Sequence, residues 1–596
     1  MIVLGVWDGT PSSAALVIDG KLISSVAEER LTRNKNEYGY PLRSIQSVLD
    51  TGGISIEDVD YVAMSTASLS PTYFYTLRNK TFSINDYWKE QNEYWYPKFY
   101  QGKNPSYLDV FSHRVDSKFP YDKSLIKDET DSEGMINARV DHLCRTLGVS
   151  KDVVSVHDHH TCHAYYGYIA STDRHAEDTL VYTMDGNGDK SNGTVWLGRQ
   201  GKKLELISRT NNCNIGRMYR YATLLLGMRP ADHEYKVMGL AAYNSHRYGK
   251  EAYQIYADTL EVDGLDFKYK KKIKDHFFYF KERLEGQRFD AIAYGIQKRT
   301  EELLTEWIAN GVKMTGVGNV VMSGGVAQNI KANKLIVEMD GVNKLLVPPG
   351  PGDESLALGA AYVTLVEKGV CINDIESIPN AFFGPKYNKK DIEDAIQTSI
   401  CSKMHVHKVS NLEVAEKLAN GEVIARFGED RMEFGARALG NRSIIADPRR
   451  SDVIHHINKL IKMRDFWMPF APSILEERLD DYMINPKKIN SKFMSVGFDS
   501  TPLAQSHLPA GLHPFDRSAR PQVVTKKDNP KYHELIKAFE DLTGVGALLN
   551  TSFNIHGEPI VCTPQDAIDT FNRCGLKHLL LGEYLISKTQ KNSTAI

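Results

Sequence analysis

Four histidines fall within seven positions in the run Val156-His-Asp-His-His-Thr-Cys-His163. His159 and His163 are four residues apart, so a helix would set both imidazoles on one face, ~6 Å apart, a separation that one divalent metal can bridge. Asp158 suits the N-cap of that helix. Two imidazoles need a further ligand. Asp353, closing the turn Pro348-Pro-Gly-Pro-Gly-Asp353, is the candidate carboxylate. Two histidines and one carboxylate leave coordination positions open, as in a catalytic iron or zinc site. The plainer alternative is a pair of hydrogen-bonded core histidines, but the density of the cluster at a strand-to-helix junction favours the metal.

A second constellation is Arg431-Met-Glu-Phe-Gly-Ala-Arg437-Ala-Leu-Gly-Asn-Arg442-Ser443. Between Arg426 and Arg464 nine basic residues stand against five acidic ones, a local excess of four. Arginines interleaved with glycine and small residues suit forked contacts to phosphate oxygens better than a solvated helix face does. A third feature is a set of polar, glycine-rich turns, each expected just after a strand: Asp8-Gly9, Asp185-Gly186-Asn-Gly-Asp189 and Ser323-Gly324-Gly325. Glycines let backbone amides approach a phosphate, and a strand-end Asp can hold a metal–phosphate unit. Any one of these turns alone is weak, because strands commonly end in Asp-Gly. A fourth is Asn550-Thr551-Ser552-Phe-Asn554, expected as the end of a strand, a polar turn and then a second strand; its polar residues serve a nucleotide or simply satisfy the turn.

The elements that must position these residues are legible in outline. Ile2–Val6, Ala14–Ile18 and Leu22–Val26 read as three strands with a hairpin turn at Asp19-Gly20. A helix from Ser44 stops at Gly52-Gly53, and Asp60–Ser65 returns as a strand. Leu180–Met184, Val320–Met322 and Leu345–Val347 precede the later turns. Residues from about 71 to 128 are rich in Tyr and Trp and read as an insertion packed on the main sheet. No internal sequence repeat is visible. A domain boundary is expected near Phe382, giving residues 1–380 and 381–596.

The bulk figures exclude some classes. The 596 residues carry 73 Lys+Arg and 75 Asp+Glu, a net charge of −2, which argues against holding nucleic acid or membrane by bulk charge. The length alone suggests about four domains. The seven cysteines are odd in number and form no C-x-x-C pair, which fits a reducing compartment without a disulfide framework. The N-terminus lacks a basic n-region, and no apolar stretch reaches the ~20 residues of a membrane span, so a cytoplasmic protein is expected.

In order along the chain, these motifs resemble the NodU/CmcH family of O-carbamoyltransferases. The resemblance also includes Ser13-Ala-Ala-Leu-Val, Glu28-Glu-Arg-Leu-Thr-Arg-Asn-Lys35, Glu234-Tyr-Lys-Val-Met-Gly-Leu-Ala and Pro469-Phe-Ala-Pro-Ser. It implies an α/β protein: an actin-like (ASKHA, threonylcarbamoyl-transferase-like) N-terminal domain and a YrdC-like C-terminal domain. It implies that carbamoyl phosphate and ATP, with Mg2+, form carbamoyl-adenylate in the second domain. The carbamoyl group then passes to a hydroxyl in the first domain.

On this resemblance His159, His163 and Asp353 hold a metal, Fe2+ foremost, with Zn2+ and Mn2+ as alternatives. Asp185, Gly186, Asp189, Gly324, Gly325, Asn329 and Gly352 bind the adenylate. Arg431, Arg437, Arg442, Ser443, Lys462, Arg464, Arg520, Asn550, Thr551, Ser552 and Asn554 bind ATP and carbamoyl phosphate.

Two departures stand out. Thr10 occupies the place where many members carry a histidine proposed as the base, so the catalytic set is read as Asp8, Thr10, His160 and Lys35. Met468 replaces an Arg before Pro-Phe-Ala-Pro, with Arg464 and Arg520 as substitutes. The expected acceptor is a small molecule. A hydroxymethylated nucleotide or DNA base, a regulator that has lost transfer, and a sugar kinase are the competing readings. A homodimer is compatible with the sequence.

Overall fold

The computed structural model describes residues 1–271, 273–399 and 404–589. The chain divides into two compact units, one of residues 1–29 and 36–379, the other of residues 30–35 and 380–596. Two large units therefore stand where length alone suggested about four domains.

Strands β1 (Ile2–Trp7), β2 (Ser13–Ile18), β3 (Lys21–Ala27), β4 (Tyr61–Ser65) and β5 (Val154–His157) form the first sheet of the N-terminal unit. Their order is β3-β2-β1-β4-β5. The first three are antiparallel, while β4 and β5 run parallel to β1. A second sheet repeats this plan with β6 (Thr179–Gly188), β7 (Ser191–Gly198), β8 (Glu205–Thr210), the later β11 (Asn319–Ser323) and β12 (Lys344–Leu346), in the order β12-β11-β6-β7-β8. The hairpin β9 (Leu260–Asp263) and β10 (Asp266–Tyr269) lies between them in sequence. Again three strands are antiparallel and two parallel.

This is a duplicated actin-like fold. The sequence carries the duplication only as topology, because the sheet plan depends on the polar/apolar pattern rather than on residue identity. Residues 3–7 of β1 are all buried, as expected of a strand covered on both faces.

Helix His159–Ala170 follows β5, and helix Leu356–Glu367 follows β12, so they occupy equivalent places in the two halves. They pack on each other, and Gly359 makes the close approach: a Cβ there would lie 2.2 Å from the Cys162 carbonyl oxygen. The aromatic insertion does not lie on the sheet as expected. Phe74, Tyr75 and Tyr121 pack with Tyr38, Met135 and Ala138, while Phe82, Tyr87, Tyr94, Tyr107 and Phe111 pack with Leu224 and Phe277. The first sheet is already covered by helices Leu42–Gly52 and Leu356–Glu367, which leaves helices as the insertion's partners.

The second unit is built on an eight-stranded mixed sheet. Its strands are β13 (Met404–Lys408), β14 (Ile424–Phe427), β15 (Arg442–Ala446), β16 (Ala471–Leu475), β19 (Gln522–Val524), β20 (Ala547–Ser552), β21 (His578–Leu581) and β22 (Tyr584–Lys588). The order is β13-β22-β21-β14-β15-β20-β16-β19, and β17 (Met483–Ile484) and β18 (Asp499–Ser500) pair separately. A core of Phe427, Ile444, Val453, Leu549, Phe553, Ile568 and Phe571 lies under it. After Ser552 the chain turns without forming the second strand expected there, since residues 555–562 are irregular. The six described cysteines are free, and Cys401 lies outside the described residues. No described helix is long and apolar enough to cross a membrane.

Candidate functional site

The N-terminal unit gathers His159, His163, Asp185 and Asp353 so that their ligand atoms all lie within 4.8 Å of one another. Helix His159–Ala170 starts at Asp158, whose side chain accepts the Thr161 N–H, so the predicted N-cap fixes where the two imidazoles emerge. Asp353 arrives just ahead of the partner helix, in the turn Asp353–Ser355. Asp185 comes from β6, which runs on through the Asp-Gly-Asn-Gly segment as a bulged hairpin strand instead of ending before it. The resemblance implies that Asp185 binds the adenylate; the tertiary fold puts it beside the histidines. Its place directly after the apolar run of β6, matching that of Asp8 after β1, is the signal that points to it.

His163 Nε2 lies 3.1 Å from Asp185 Oδ2 and 3.6 Å from Asp353 Oδ1. His159 Nε2 lies 3.6 Å and 3.8 Å from the same two oxygens. The far atoms are already committed. Asp185 Oδ1 accepts the Gly325 N–H at 2.8 Å, His159 Nδ1 pairs with Thr66 Oγ1 at 3.1 Å, and His163 Nδ1 faces Ser323 Oγ at 3.5 Å. That leaves His159 Nε2, His163 Nε2 and Asp185 Oδ2 buried with no hydrogen bond. Buried orphan atoms are rare, and here three converge, two nitrogens and a carboxylate oxygen. This donor set fits a divalent transition metal.

Burial alone would lower the His163 imidazole, but the facing Asp185 and Asp353 carboxylates outweigh it and raise it to about 9. The same contest raises His159, and despite burial Asp185 is held far below the ordinary carboxylate range by the two imidazoles. His160 goes the other way, pushed down to about 3 by burial and by His159; its Nδ1 pairs with Thr183 Oγ1 at 2.8 Å. Glu354, which the sequence reading did not single out, is pushed up to about 7 by burial next to Asp353.

The other N-terminal residues have defined places. Asp189 accepts the N–H groups of Ala67, Ser68 and His159 at 2.8, 2.6 and 2.7 Å, so it orders the loops beside the histidine cluster. Gly188 must be glycine, because a Cβ would come within 2.3 Å of the His159 ring. Gly186 O accepts from Arg217, Gly324 and Gly325 face Asp185, Asn329 caps the following helix, and Gly352 O holds Ser355. Asp8 is fully buried and shared between Arg139 and Tyr121, so its oxygens are not free to take a proton from a substrate. Thr10 Oγ1 donates to Asn36 O at 3.1 Å.

A separate cation cluster lies in the C-terminal unit. Lys462 is 3% exposed and donates to Ser552 Oγ at 3.0 Å and Asn554 Oδ1 at 2.6 Å. Burial, Arg464 and Lys35 push its ammonium well below the usual lysine range. Lys35, read as part of the catalytic set of the first domain, therefore groups with Lys462 in the second unit. Arg464 donates to Thr551 Oγ1 at 2.9 Å. Asn550 ties Ala438 O, Ser473 Oγ and Gln522 Oε1, anchoring the loop that carries Arg437.

Three residues assigned to phosphate bond the scaffold, although Arg442 Nη2 is left buried without a hydrogen-bond partner. Arg442 is wholly buried, donates to Gly428 O and Asn441 O, and stacks over Phe427. Arg431 donates to Gly384 O and Phe383 O, and Ser443 Oγ accepts the Gly440 N–H. Arg437 and Arg520 are half-buried.

Residues 3–362 match the family described as Carbamoyltransferase N-terminus, and residues 415–588 match Carbamoyltransferase C-terminus. The nodulation protein NolO of Bradyrhizobium diazoefficiens is 31% identical over 72% of this chain and 79% of its own length. The nodulation protein NolNO of Sinorhizobium fredii is 29% identical over 97% of this chain and 78% of its own. An uncharacterized protein of Methanocaldococcus jannaschii is 34% identical over 73% and 74%. Among solved structures, T. kodakarensis HypF aligns with a TM-score of 0.32 at 12% identity, over 63% of this chain and 49% of that one.

Proposed function

This chain belongs to the carbamoyltransferase family and is an enzyme that transfers carbamoyl groups; from that premise we propose an ATP-dependent O-carbamoyltransferase working in two steps. In the C-terminal unit, water cleaves carbamoyl phosphate to inorganic phosphate and carbamate, and the carbamate oxygen attacks the α-phosphorus of ATP, with Mg2+, releasing pyrophosphate and leaving carbamoyl-adenylate. In the N-terminal unit an alcohol oxygen attacks the carbamoyl carbon, AMP leaves, and the alcohol proton passes to a base.

The observation that carries this reading is the presence of two chemically distinct centres, one in each compact unit. Lys462, Arg464, Lys35 and Arg437 supply positive charge for phosphate oxygens, and the buried Lys462 gains most from an arriving anion. Ser552, Thr551 and Asn554 orient the two cations. In the N-terminal unit His159, His163, Asp185 and Asp353 would hold a divalent ion, Fe2+, Zn2+ or Mn2+. When bound, the ion supplies Lewis acidity toward a phosphate or carbonyl oxygen. Asp189, Gly325 and Thr66 keep the ligands in place. With Asp8 committed, the proton acceptor comes from elsewhere in this pocket.

The test is pyrophosphate release from ATP. It is expected only with carbamoyl phosphate present, to vanish in Arg437→Met and Lys462→Met, and to persist in His163→Ala while product formation stops. No pyrophosphate with both substrates present would refute the two-step scheme. A hydroxymethylated nucleotide as acceptor is a second reading, supported by the exposed stacked pair Tyr96 and Tyr100. It predicts a salt-sensitive shift of modified over plain DNA on a gel.

A further inference from the structure

We propose that Thr66 is a positioning residue for His159, and that the buried Arg139–Asp8 pair serves to hold Thr66 in the strained backbone this requires. The inference rests on the metal reading above.

Thr66 follows directly after β4 and has φ of +69°. A β-branched residue strongly disfavours that region, and such strain survives only where the surroundings over-determine it. Here they do. The Thr66 N–H donates to His157 O at 2.8 Å. Arg139 Nη1 donates to Thr66 O at 2.7 Å and Nη2 to Ser65 O at 2.8 Å. The next two residues are pinned through their N–H groups to Asp189, itself at φ of +46°. Arg139 in turn is clamped by Asp8, with Nη2 at 2.6 Å from Oδ1 and Nε at 3.1 Å from Oδ2. Tyr121, from the aromatic insertion, donates to the same carboxylate at 2.9 Å.

What this scaffold delivers is one hydroxyl. Thr66 Oγ1 lies 3.1 Å from His159 Nδ1 and 3.3 Å from Ser65 Oγ. A threonine hydroxyl can accept from Nδ1–H while giving its own proton to Ser65. His159 is then held in the tautomer whose Nε2 lone pair is free, and Nε2 is the atom found buried and unbonded facing Asp185 and Asp353. The second partner of a ligating histidine sets both ring plane and tautomer. In this protein that partner sits on a strained loop, so its placement depends on Arg139, Asp8 and Tyr121, none of which touches the cluster. Asp8 is thereby assigned a structural task in place of the base role its strand-end position suggested.

The experiment titrates Zn2+ into ion-free full-length protein by calorimetry and records the d–d spectrum with Co2+. Thr66→Val keeps the shape and removes the hydroxyl, and is expected to weaken binding about 10- to 100-fold and alter the Co2+ spectrum. Thr66→Ser restores the hydroxyl and is expected to stay within about threefold of wild type. If Thr66→Val does not fold, Thr66→Gly, which suits the backbone angle and lacks the hydroxyl, must show the same loss. Wild-type affinity in the hydroxyl-free variant, or a Ser variant as weak as the Val one, overturns the proposal. A wild-type protein that takes up neither ion overturns the metal reading and this inference with it.

Discussion

Gly359 stands against Cys162 so closely that a Cβ on the glycine would lie 2.2 Å from the cysteine carbonyl oxygen. This contact joins the two helices that carry His163 and, one turn upstream, Asp353. Gly359→Ala must therefore push the helices apart. The expected cost is about 1–3 kcal/mol of stability, together with weaker metal uptake although neither residue is a ligand. Thermal unfolding and Zn2+ calorimetry on the same sample check both.

Asp185 has one oxygen fixed by Gly325 and the other unbonded beside His163. Asp185→Asn keeps the Gly325 contact and removes the anionic donor. The expected outcome is loss of bound metal and of product, with pyrophosphate release unchanged. Metal analysis and a pyrophosphate assay separate the two.

His163, raised to about 9 in the ion-free site, sets the pH behaviour. Its stabilising contribution is complete below its unfolded value of about 6.5 and is lost as pH rises through about 9. A metal must displace that proton, so apparent affinity should climb with pH and level off above about 9. Calorimetry in buffers of different ionisation enthalpy should register the released proton. A flat pH profile would contradict the ion-pair origin of the shift.

The arginines of the Gly428–Arg442 loop should respond oppositely. Arg442→Ala removes a wholly buried side chain and leaves backbone carbonyls unpaired, costing about 3 kcal/mol or more. Arg437→Met, at a half-buried side chain, should cost less stability than Arg442→Ala. It should nonetheless abolish pyrophosphate release. Urea unfolding alongside the assay distinguishes structural from chemical loss.

Thr66→Gly should relieve the strained angle, worth about 1 kcal/mol, while loosening His159. Stability is expected to rise or hold as metal affinity falls. A variant that loses both would place Thr66 in ordinary packing.

Much of this was legible in the residues. The His159/His163 spacing fixes a helical face because α-helices repeat every 3.6 residues, and Asp158 caps that helix as its type and place suggest. Strands β1 and β2 follow from short apolar runs stopped by Asp-Gly. The basic stretch marked the second unit, and Lys462 and Arg464 do lie together there.

Long-range pairing decided the rest. Whether an Asp at a strand end ligates or braces depends on what the sheet sets opposite it. Asp185 meets two imidazoles, whereas Asp8, at the same place in the other half, meets Arg139. Arg437 and Arg442 are alike in sequence, yet only the fold puts Arg442 under its own loop. Nor could the sequence announce Thr66, because a backbone strain and a hydroxyl's neighbour are properties of packed loops. Local chemistry fixed which residues could act; the tertiary structure decided which of them face one another, because burial makes each buried polar atom find a partner or wait for one.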